Sequence, residues 1–301
     1  MSSNTPQKSL YLGFFYAAMA AALWSLITPM SRLLFAMDCT PLETSFWRTG
    51  IGGLCFAVCA AWRRELKIPL KDALLLIVIG GVLGIVLFGS FQYAISFCGG
   101  ATAVVLLYTA PAWVAVLSRF FFNEAISYTK LAAIGIALGG VIMVSMAGGS
   151  MNGEISAIGV ACGLLSGFSY ACFFPFTYHF CRRYSSVTLY TYAFLSTTIL
   201  LLPCTYADLS LDRPAVYWAL LAAMGFFTNF LAYITLALSL KYISQVQSAV
   251  IGNVEPVLGC FWVWLLFNEN FSATGWAGCL FIMAAVFILT LEKKPARDAQ
   301  K

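Results

Sequence analysis

Long apolar runs constrain the fold of this chain more than any other feature of its sequence. Each run holds roughly the 20 predominantly apolar residues that a transmembrane helix needs. The strands of a membrane β-barrel would instead alternate in period two over about ten residues, and these runs do not. The sequence therefore predicts an all-α integral membrane protein with ten transmembrane helices, at about 11–35, 42–62, 72–97, 101–122, 130–147, 155–178, 187–206, 214–240, 244–267 and 273–291.

The composition supports this prediction. Of the 301 residues, 61% are hydrophobic and 10% are charged, whereas about a quarter of the residues of a soluble domain are charged. The composition therefore excludes a cytosolic enzyme, a nucleic-acid binder and a disordered chain. The ten cysteines form no Cys-x-x-Cys pair, and His179 is the only histidine in the sequence. We therefore expect no disulfide framework, no metal site and no other cofactor.

The basic residues predict the orientation of the chain in the membrane. If the N-terminus is cytoplasmic, fourteen of the 17 basic residues fall in cytoplasmic segments, while Arg32 and Arg213 fall outside. This asymmetry follows the positive-inside rule. Acidic residues such as Asp38 and Glu43 fall on the outer side. The first apolar run is too long for a cleavable signal and is followed by further spans. We therefore expect both termini in the cytoplasm, and the net charge of +5 reflects topology rather than a binding partner.

The chain also contains an internal repeat. Asn123-Glu124 follows the fourth apolar run, and Asn268-Glu269 follows the ninth run 145 positions later. Ala110-Pro111 and Glu255-Pro256 are separated by the same offset. Several landmarks in one order are typical of a duplicated unit.

Two similar halves of five helices must have opposite orientations in the membrane, because five is an odd number. We assign the first five-helix repeat to residues 1–150 and the second, with a short basic cytoplasmic tail, to residues 151–301. Inverted repeats are the architecture of many secondary transporters, whose substrate site lies near the membrane midplane between the halves. A central cavity is expected there.

Several of these features are shared with a known family. They are the Phe46-Trp47-Arg48 run and the two proline-centred helices, each followed by an Asn-Glu turn and a Gly-rich helix, such as the one with Gly135, Gly139 and Gly140. From about Leu12 to Leu291, the chain resembles the ten-helix EamA-type exporters of the drug/metabolite transporter superfamily. The resemblance implies a basket of ten helices around a central cavity, in the bacterial inner membrane. Such proteins export amino acids and other metabolites, and related members carry nucleotide sugars or sugar phosphates.

Glu255 is the strongest candidate for a functional residue. It lies about 11 residues into the ninth predicted helix, near the middle of the membrane, where a carboxylate is costly and usually functional. It can bind a substrate amine or carry a coupling proton. Alternatively, it is a structural acid that hydrogen-bonds backbone groups freed by Pro256. The corresponding residue of the other half is Ala110, so the expected cavity is electrically asymmetric.

Arg48 is the one basic residue well inside a predicted span. Its guanidinium can pair with a substrate carboxylate or with Glu255. Alternatively, it extends to the outer membrane interface or binds backbone carbonyls. Its shallow position slightly favours a structural role.

Other candidate residues are polar or aromatic side chains near the middle of the spans. In the ninth helix, Ser248, Gly252, Glu255, Gly259 and Trp262 recur at steps of four, three, four and three, and we expect this stripe to face the cavity. Further candidates for substrate contacts, beyond this stripe, are Trp24, Gln92, Tyr108, Tyr170, Asn229 and Asn253.

Prolines and glycines predict where helices bend and where they approach each other. Prolines near matched positions of the two halves predict kinks that could act as hinges, at Pro29, Pro111, Pro175 and Pro256. Ridges of small residues predict close helix packing within the bundle, at Gly159–Gly163–Gly167, Gly80–Gly84 and Gly135–Gly139.

Together these features predict a secondary transporter that exports a small polar metabolite, an amino acid or a related compound, by alternating access. The substrate gradient or the proton gradient would drive it, because the sequence lacks an ATP-binding P-loop. The alternatives are a carrier of another solute class (a nucleoside, a sugar phosphate or a drug-like cation), a channel, or a membrane-embedded enzyme. We expect no enzyme, because two deep ionisable residues do not make a catalytic set. The expected partners are the solute, the lipid bilayer and protons, with no nucleic acid; the sequence predicts no oligomeric state.

Overall fold

The computed structural model describes residues 5–147, 156–207, 209, 212–268 and 272–290. This part of the chain is helical, without a strand, which confirms the predicted all-α fold. The basic tail after residue 290 and most of the second Asn-Glu turn, from Glu269 to Phe271, lie outside the described residues. The helices are α1 (Thr5–Ser25), α2 (Ile27–Phe35), α3 (Pro41–Trp62), α4 (Leu70–Leu107), α5 (Ala110–Phe122), α6 (Tyr128–Ala147), α7 (Ala157–Phe180), α8 (Ser186–Thr205), α9 (Ala215–Met224), α10 (Ala232–Ser239), α11 (Gln245–Gly252), α12 (Val254–Phe267) and α13 (Ala273–Thr290), with a π-helical segment (Gly225–Leu231) between α9 and α10.

Eight helical segments of the described chain are long and apolar enough to cross a membrane. Two further predicted spans correspond to α3, which carries Glu43 and Arg48, and to α13, whose apolar stretch is shorter. Large apolar side chains such as Val58, Ile199 and Leu280 are 69–70% exposed. An apolar surface of this kind faces lipid in a membrane protein. The chain is therefore a multi-pass membrane protein.

The third and fourth predicted spans agree with the candidate membrane spans Leu70–Phe97 and Thr102–Phe122. The helix does not break between them, because α4 continues from Leu70 to Leu107 and the interruption comes at Tyr108 and Thr109. Pro111 explains this interruption, because it has no N–H group to donate to the carbonyl of Leu107, one turn earlier.

Three of the four predicted proline kinks coincide with helix interruptions. Pro29, Pro111 and Pro256 each lie two or three residues after an interruption, since α1 ends at Ser25, α4 at Leu107 and α11 at Gly252. Pro175 instead lies inside the uninterrupted α7. The kink expected at Pro175 therefore stays a prediction, whereas the breaks before Pro111 and Pro256 occur at corresponding positions.

The same offset of 145 residues also relates two helix ends. Asn123 ends α5 and Asn268 ends α12, and both have a left-handed backbone with φ of 52°. Asparagine tolerates this conformation better than most residues and is a common helix terminator. The Asn-Glu landmarks of the sequence thus have a local structural meaning: they end helices in the same way.

Small residues bring several helices together. A Cβ atom on Gly140 of α6 would lie 2.7 Å from the carbonyl oxygen of Gly278 in α13, and the reverse distance would be 2.6 Å. The predicted ridges of α4 and α7 also make close contacts: Gly84 meets Thr197 of α8, and Gly163 meets Leu106 of α4. The predicted ridge at Gly135 and Gly139 is wrong, because a Cβ at either would have no neighbour within 4 Å.

We predict that Gly140→Ala destabilises the protein while Gly139→Ala does not. The new methyl group at 140 meets the α13 backbone, which cannot move aside easily, and overpacking of this kind costs about 1–3 kcal/mol. Thermal unfolding of the two variants in detergent measures the difference. Equal melting temperatures for both variants would contradict the close approach of α6 and α13.

Two hydrogen-bonded clusters join the ends of neighbouring helices. In the α3–α9 cluster, the Tyr217 hydroxyl donates to Oε1 of Glu43 at 2.7 Å and lies 3.1 Å from Sγ of Cys39. In the α4–α8 cluster, the hydroxyl of Tyr184, in the turn that leads into α8, donates to Asp72 of α4, and this bond raises the pKa of Tyr184. Cys39 and Tyr184 are 145 positions apart, and so are Asp72 and Tyr217. Each residue of one pair therefore corresponds in the repeat to a residue of the other pair. The two clusters thus occupy corresponding positions of the fold, at the ends of different helices.

The α3–α9 cluster buries a carboxylate that the sequence placed on the outer side as a simple topology marker. Glu43 is 0% exposed, and its Oε2 atom has no hydrogen-bond partner among the described residues. The Tyr217 hydroxyl is therefore an important partner for this acid.

We predict that Tyr217→Phe lowers the free energy of unfolding by about 1–3 kcal/mol, the usual cost of leaving a buried polar group without its partner. Tyr206→Phe is the matched control, because Tyr206 is 70% exposed. Chemical or thermal unfolding in detergent measures both variants. The importance of the Tyr217–Glu43 bond would be refuted if the two substitutions had the same effect.

Candidate functional site

Glu255 lies at one of the two matched helix interruptions. It is the second residue of α12, directly after the break at Asn253, and it precedes the proline that causes the break. Tyr108 occupies the corresponding break between α4 and α5. The Tyr108 hydroxyl lies beside the Glu255 carboxylate and interacts with it. The two interruptions therefore bring polar groups from both halves of the chain together.

Three more helices contribute to the surroundings of Glu255. Tyr170 of α7 and Tyr233 of α10 are close enough to interact electrostatically with its carboxylate, and so is Arg48 of α3. Trp24 of α1 packs edge-on against both tyrosines, with ring centroids 6.1 Å from Tyr170 and 5.4 Å from Tyr233. We call this set of residues the Glu255 cluster: Trp24, Arg48, Tyr108, Tyr170, Tyr233 and Glu255.

Arg48 is held inside the bundle by an aromatic ring. Its guanidinium carbon lies 5.1 Å from the ring centroid of Phe88 in α4, which is a favourable cation–π distance. Its Nε atom is buried and has no hydrogen-bond partner among the described residues. Arg48 also interacts electrostatically with Tyr233 and Glu255. Of the roles considered for Arg48, this geometry favours pairing with Glu255 over extension to the outer membrane interface.

The predicted stripe of the ninth span does not form one wall. Ser248 bonds Ser239 of α10 at 2.9 Å, and Nε1 of Trp262 donates to Oγ of Ser25 at 3.0 Å. A Cβ on Gly259 would lie 3.2 Å from Thr28. The stripe is divided by the break at Asn253, so its residues face several neighbouring helices. Gly252 has open space beside it despite its burial.

The remaining predicted contact residues have different environments. Asn229 is 1% exposed within the π-helical segment, and its Nδ2 atom has no partner among the described residues. Asn253 is buried at the break itself. Gln92 is half-buried in α4, with no described contact to the Glu255 cluster. The structure therefore brings Trp24, Tyr108, Tyr170 and Arg48 around Glu255 but leaves Gln92 and Trp262 outside the cluster.

Sequence reasoning missed Tyr233 and Phe88. Tyr233 follows Asn229 by four residues in the same span, so the helical spacing could have suggested it. Phe88 had no such signal, because it is one of 25 phenylalanines in the chain.

The expected central cavity stays a prediction: Arg48, Tyr170 and Glu255 are half-buried and keep some accessible surface, whereas the other three members of the cluster are buried. Trp24, Tyr108 and Tyr233 are each less than 8% exposed. Two apolar grooves lie elsewhere: one of about 500 Å³ runs along α3 and the π-helical segment, and one of about 410 Å³ lies between α3, α4 and α8. No residue of the Glu255 cluster lines either groove. The described residues also contain no group of three His, Cys, Asp or Glu side chains that could hold a metal ion.

Comparison with known proteins identifies the family. The model of the EamA-like transporter family matches residues 11–146 and again residues 157–291. The chain belongs to the EamA-like transporter family. The two matches cover most of the sequence, so the chain is a membrane transporter of the drug/metabolite transporter superfamily.

Curated proteins from bacteria resemble this EamA-like chain along most of its length. An uncharacterized transporter of Bacillus subtilis, YdfC, is 26% identical over 76% of this chain and 75% of its own length. The pseudopaline exporter CntI of Pseudomonas aeruginosa is 23% identical over 84% of this chain and 87% of its own length. A solved crystal structure has a TM-score of 0.77 at 18% identity, over 99% of this chain and 100% of that one. The structural likeness establishes the shared fold.

Proposed function

We propose that this EamA-family transporter is a secondary exporter of a small polar metabolite, an amino acid or a related compound, and that the Glu255 cluster is its substrate site. The observation that carries the proposal is the position of one acid, one base and three tyrosines at the meeting point of five helical elements. Charged groups deep in a membrane protein usually mark a solute or ion pathway. The name of the Pseudomonas aeruginosa relative, an exporter, agrees with the direction of transport.

The proposed architecture is ten transmembrane helices in two inverted five-helix repeats, residues 1–150 and 151–301. The matched breaks before Pro111 and Pro256 and the matched ends at Asn123 and Asn268 support it. The charge asymmetry supports an orientation with both termini in the cytoplasm. By resemblance to the family, the chain resides in the bacterial inner membrane.

In the proposed mechanism, Glu255 binds a substrate amine or a proton, one at a time. The three tyrosines and Trp24 hold the solute and keep water away from the charges. Opening to either side requires the closely packed cluster to separate. The interruptions before Pro29, Pro111 and Pro256 are the points where helix segments can turn with the smallest loss of backbone hydrogen bonds. Pro175, inside the continuous α7, is the weakest of the four hinge candidates. The chemistry is binding and release, without a catalytic set of residues.

Counterflow in proteoliposomes tests the proposed function. Purified protein is reconstituted, and uptake of labelled solute is measured against a gradient of unlabelled solute for amino acids, nucleosides, sugar phosphates and organic cations. We expect saturable, trans-stimulated exchange for at least one amino acid. Linear flux that no competitor reduces would indicate a channel, and a response restricted to another solute class would replace the amino acid as the substrate.

We predict that Glu255→Gln reduces the initial transport rate at least about tenfold or removes its dependence on pH. The amide keeps the size of the side chain but neither binds a cation strongly nor exchanges a proton. Glu43→Gln is the matched control, because Glu43 is also buried but bonds Tyr217 in the α3–α9 cluster. Rates across a series of external pH values measure both effects. Normal rates with a normal pH profile in Glu255→Gln would remove Glu255 from the mechanism.

A further inference from the structure

Two buried nitrogen donors near the Glu255 cluster have no hydrogen-bond partner among the described residues. They are Nε of Arg48 and Nδ2 of Asn229. A buried donor without a partner is costly, so such groups in native structures call for a specific explanation. One explanation is that a ligand supplies the acceptor.

The packing of α3 against the π-helical segment holds these two residues close together. A Cβ on Gly52 would lie 2.5 Å from Cβ of Asn229, so the asparagine rests on α3 one turn after Arg48. A Cβ on Gly225 would lie 2.6 Å from Ile51 and 3.3 Å from the backbone oxygen of Arg48. α3 and the π-helical segment therefore contact each other beside both Arg48 and Asn229, and a glycine lies at each contact.

The π-helical segment also determines the position of Asn229 in the bundle. Such segments are rare, occur mostly as single turns and are frequent at functional sites. Here the segment ends at Leu231, and Tyr233 of the cluster follows two residues later. Within the segment, Oδ1 of Asn229 lies 3.4 Å from the Thr228 hydroxyl, which donates its proton to the Met224 carbonyl oxygen at 2.7 Å. Nδ2 of Asn229 has no partner among the described residues.

We infer that Arg48 and Asn229 form a carboxylate-binding subsite, so that the transported solute carries a carboxylate group. This inference rests on the proposed function, and it specifies the substrate class. The Nε–H group of Arg48 and the Nδ2–H group of Asn229 each donate to the carboxylate. Glu255, within electrostatic range of Arg48, binds an amine on the same solute.

The charges of the site favour a carboxylate over a phosphate. Two described groups interact electrostatically with Arg48: the carboxylate of Glu255 and the neutral hydroxyl of Tyr233. One guanidinium can balance one added negative charge. A phosphate carries up to two charges at neutral pH and would require a second base near the acid Glu255. A carboxylate has two acceptor oxygens, and Arg48 and Asn229 each offer one unpaired donor.

Matched solutes test this inference in the reconstituted protein. The probes are L-leucine with L-leucinamide and 3-methylbutylamine, and L-phenylalanine with L-phenylalaninamide and 2-phenylethylamine. Each series keeps the side chain and removes first the charge of the carboxylate and then the whole group. We expect the wild-type protein to exchange at least one acid about tenfold faster than its amide, since charged hydrogen bonds of this kind are strong.

Variants then assign the preference to the two donors. Asn229→Asp keeps the shape of the side chain but replaces its donor by a carboxylate that pairs with Arg48, and Arg48→Gln removes the positive charge. Both should lose the preference for the acid while still exchanging the amide or the amine. Arg213→Gln is the matched control, because Arg213 also has a buried Nε without a described partner but binds the backbone oxygens of Met37 and Asp38. It should retain the preference.

The outcomes separate the two proposals. If the wild-type protein exchanges acids and amides equally, or if Asn229→Asp keeps the preference, the carboxylate subsite is wrong and the secondary transporter stands. Exchange of nucleosides or sugar phosphates without any amino acid overturns the subsite in the same way. If no solute shows trans-stimulated exchange, both proposals fail. The ratio of acid to amide is measured within each variant, so a lower amount of folded protein does not imitate the effect.

Discussion

Glu255 and Arg48 are ionisable groups inside an apolar helical bundle, and the arrangement around them follows from the cost of placing charge there. An isolated charge away from water is expensive, so each group needs a counter-charge or polar neighbours. Arg48 has Glu255 within electrostatic range and the face of Phe88 beneath its guanidinium. Glu255 has the hydroxyl of Tyr108 beside it. These partners come from different helices, so the charges tie together elements that are far apart in the chain.

The same constraint explains why the polar groups gather at helix interruptions. A proline without an N–H group leaves the carbonyl four residues earlier without its usual donor. In water this carbonyl would be solvated, but in a membrane it must find a partner within the protein. The breaks before Pro111 and Pro256 therefore need polar neighbours, and they also provide the space where Tyr108 and Glu255 meet. The helix break provides a position for the acid, and the acid is one of the polar neighbours that the break needs.

Properties of single residues and of long runs could be predicted from the sequence, but properties of packing could not. The apolar runs predicted the helical membrane fold, and three prolines predicted helix breaks, because hydropathy and a missing N–H belong to the residue itself. Trp24, Tyr108 and Tyr170 were found through the repeat. The sequence could not show that Gly140 rather than Gly139 meets α13, or that Tyr233 and Phe88 reach the charges. These contacts depend on how neighbouring helices are rotated about their own axes, which the amino-acid sequence alone does not show. The burial of Glu43 could not be predicted for the same reason.

The α3–α9 and α4–α8 clusters have a mechanical consequence. α3 also packs along α8, and α4 packs along α8, so the four helices are joined along their sides as well as at two ends. Sliding one of them lengthwise would strain the Tyr217–Glu43 bond and the Tyr184–Asp72 bond together. The four helices therefore resist sliding lengthwise past one another. In the proposed transport cycle, helix movement would then fall to the interrupted helices outside this group, α1–α2 and α11–α12, which supply Trp24 and Glu255.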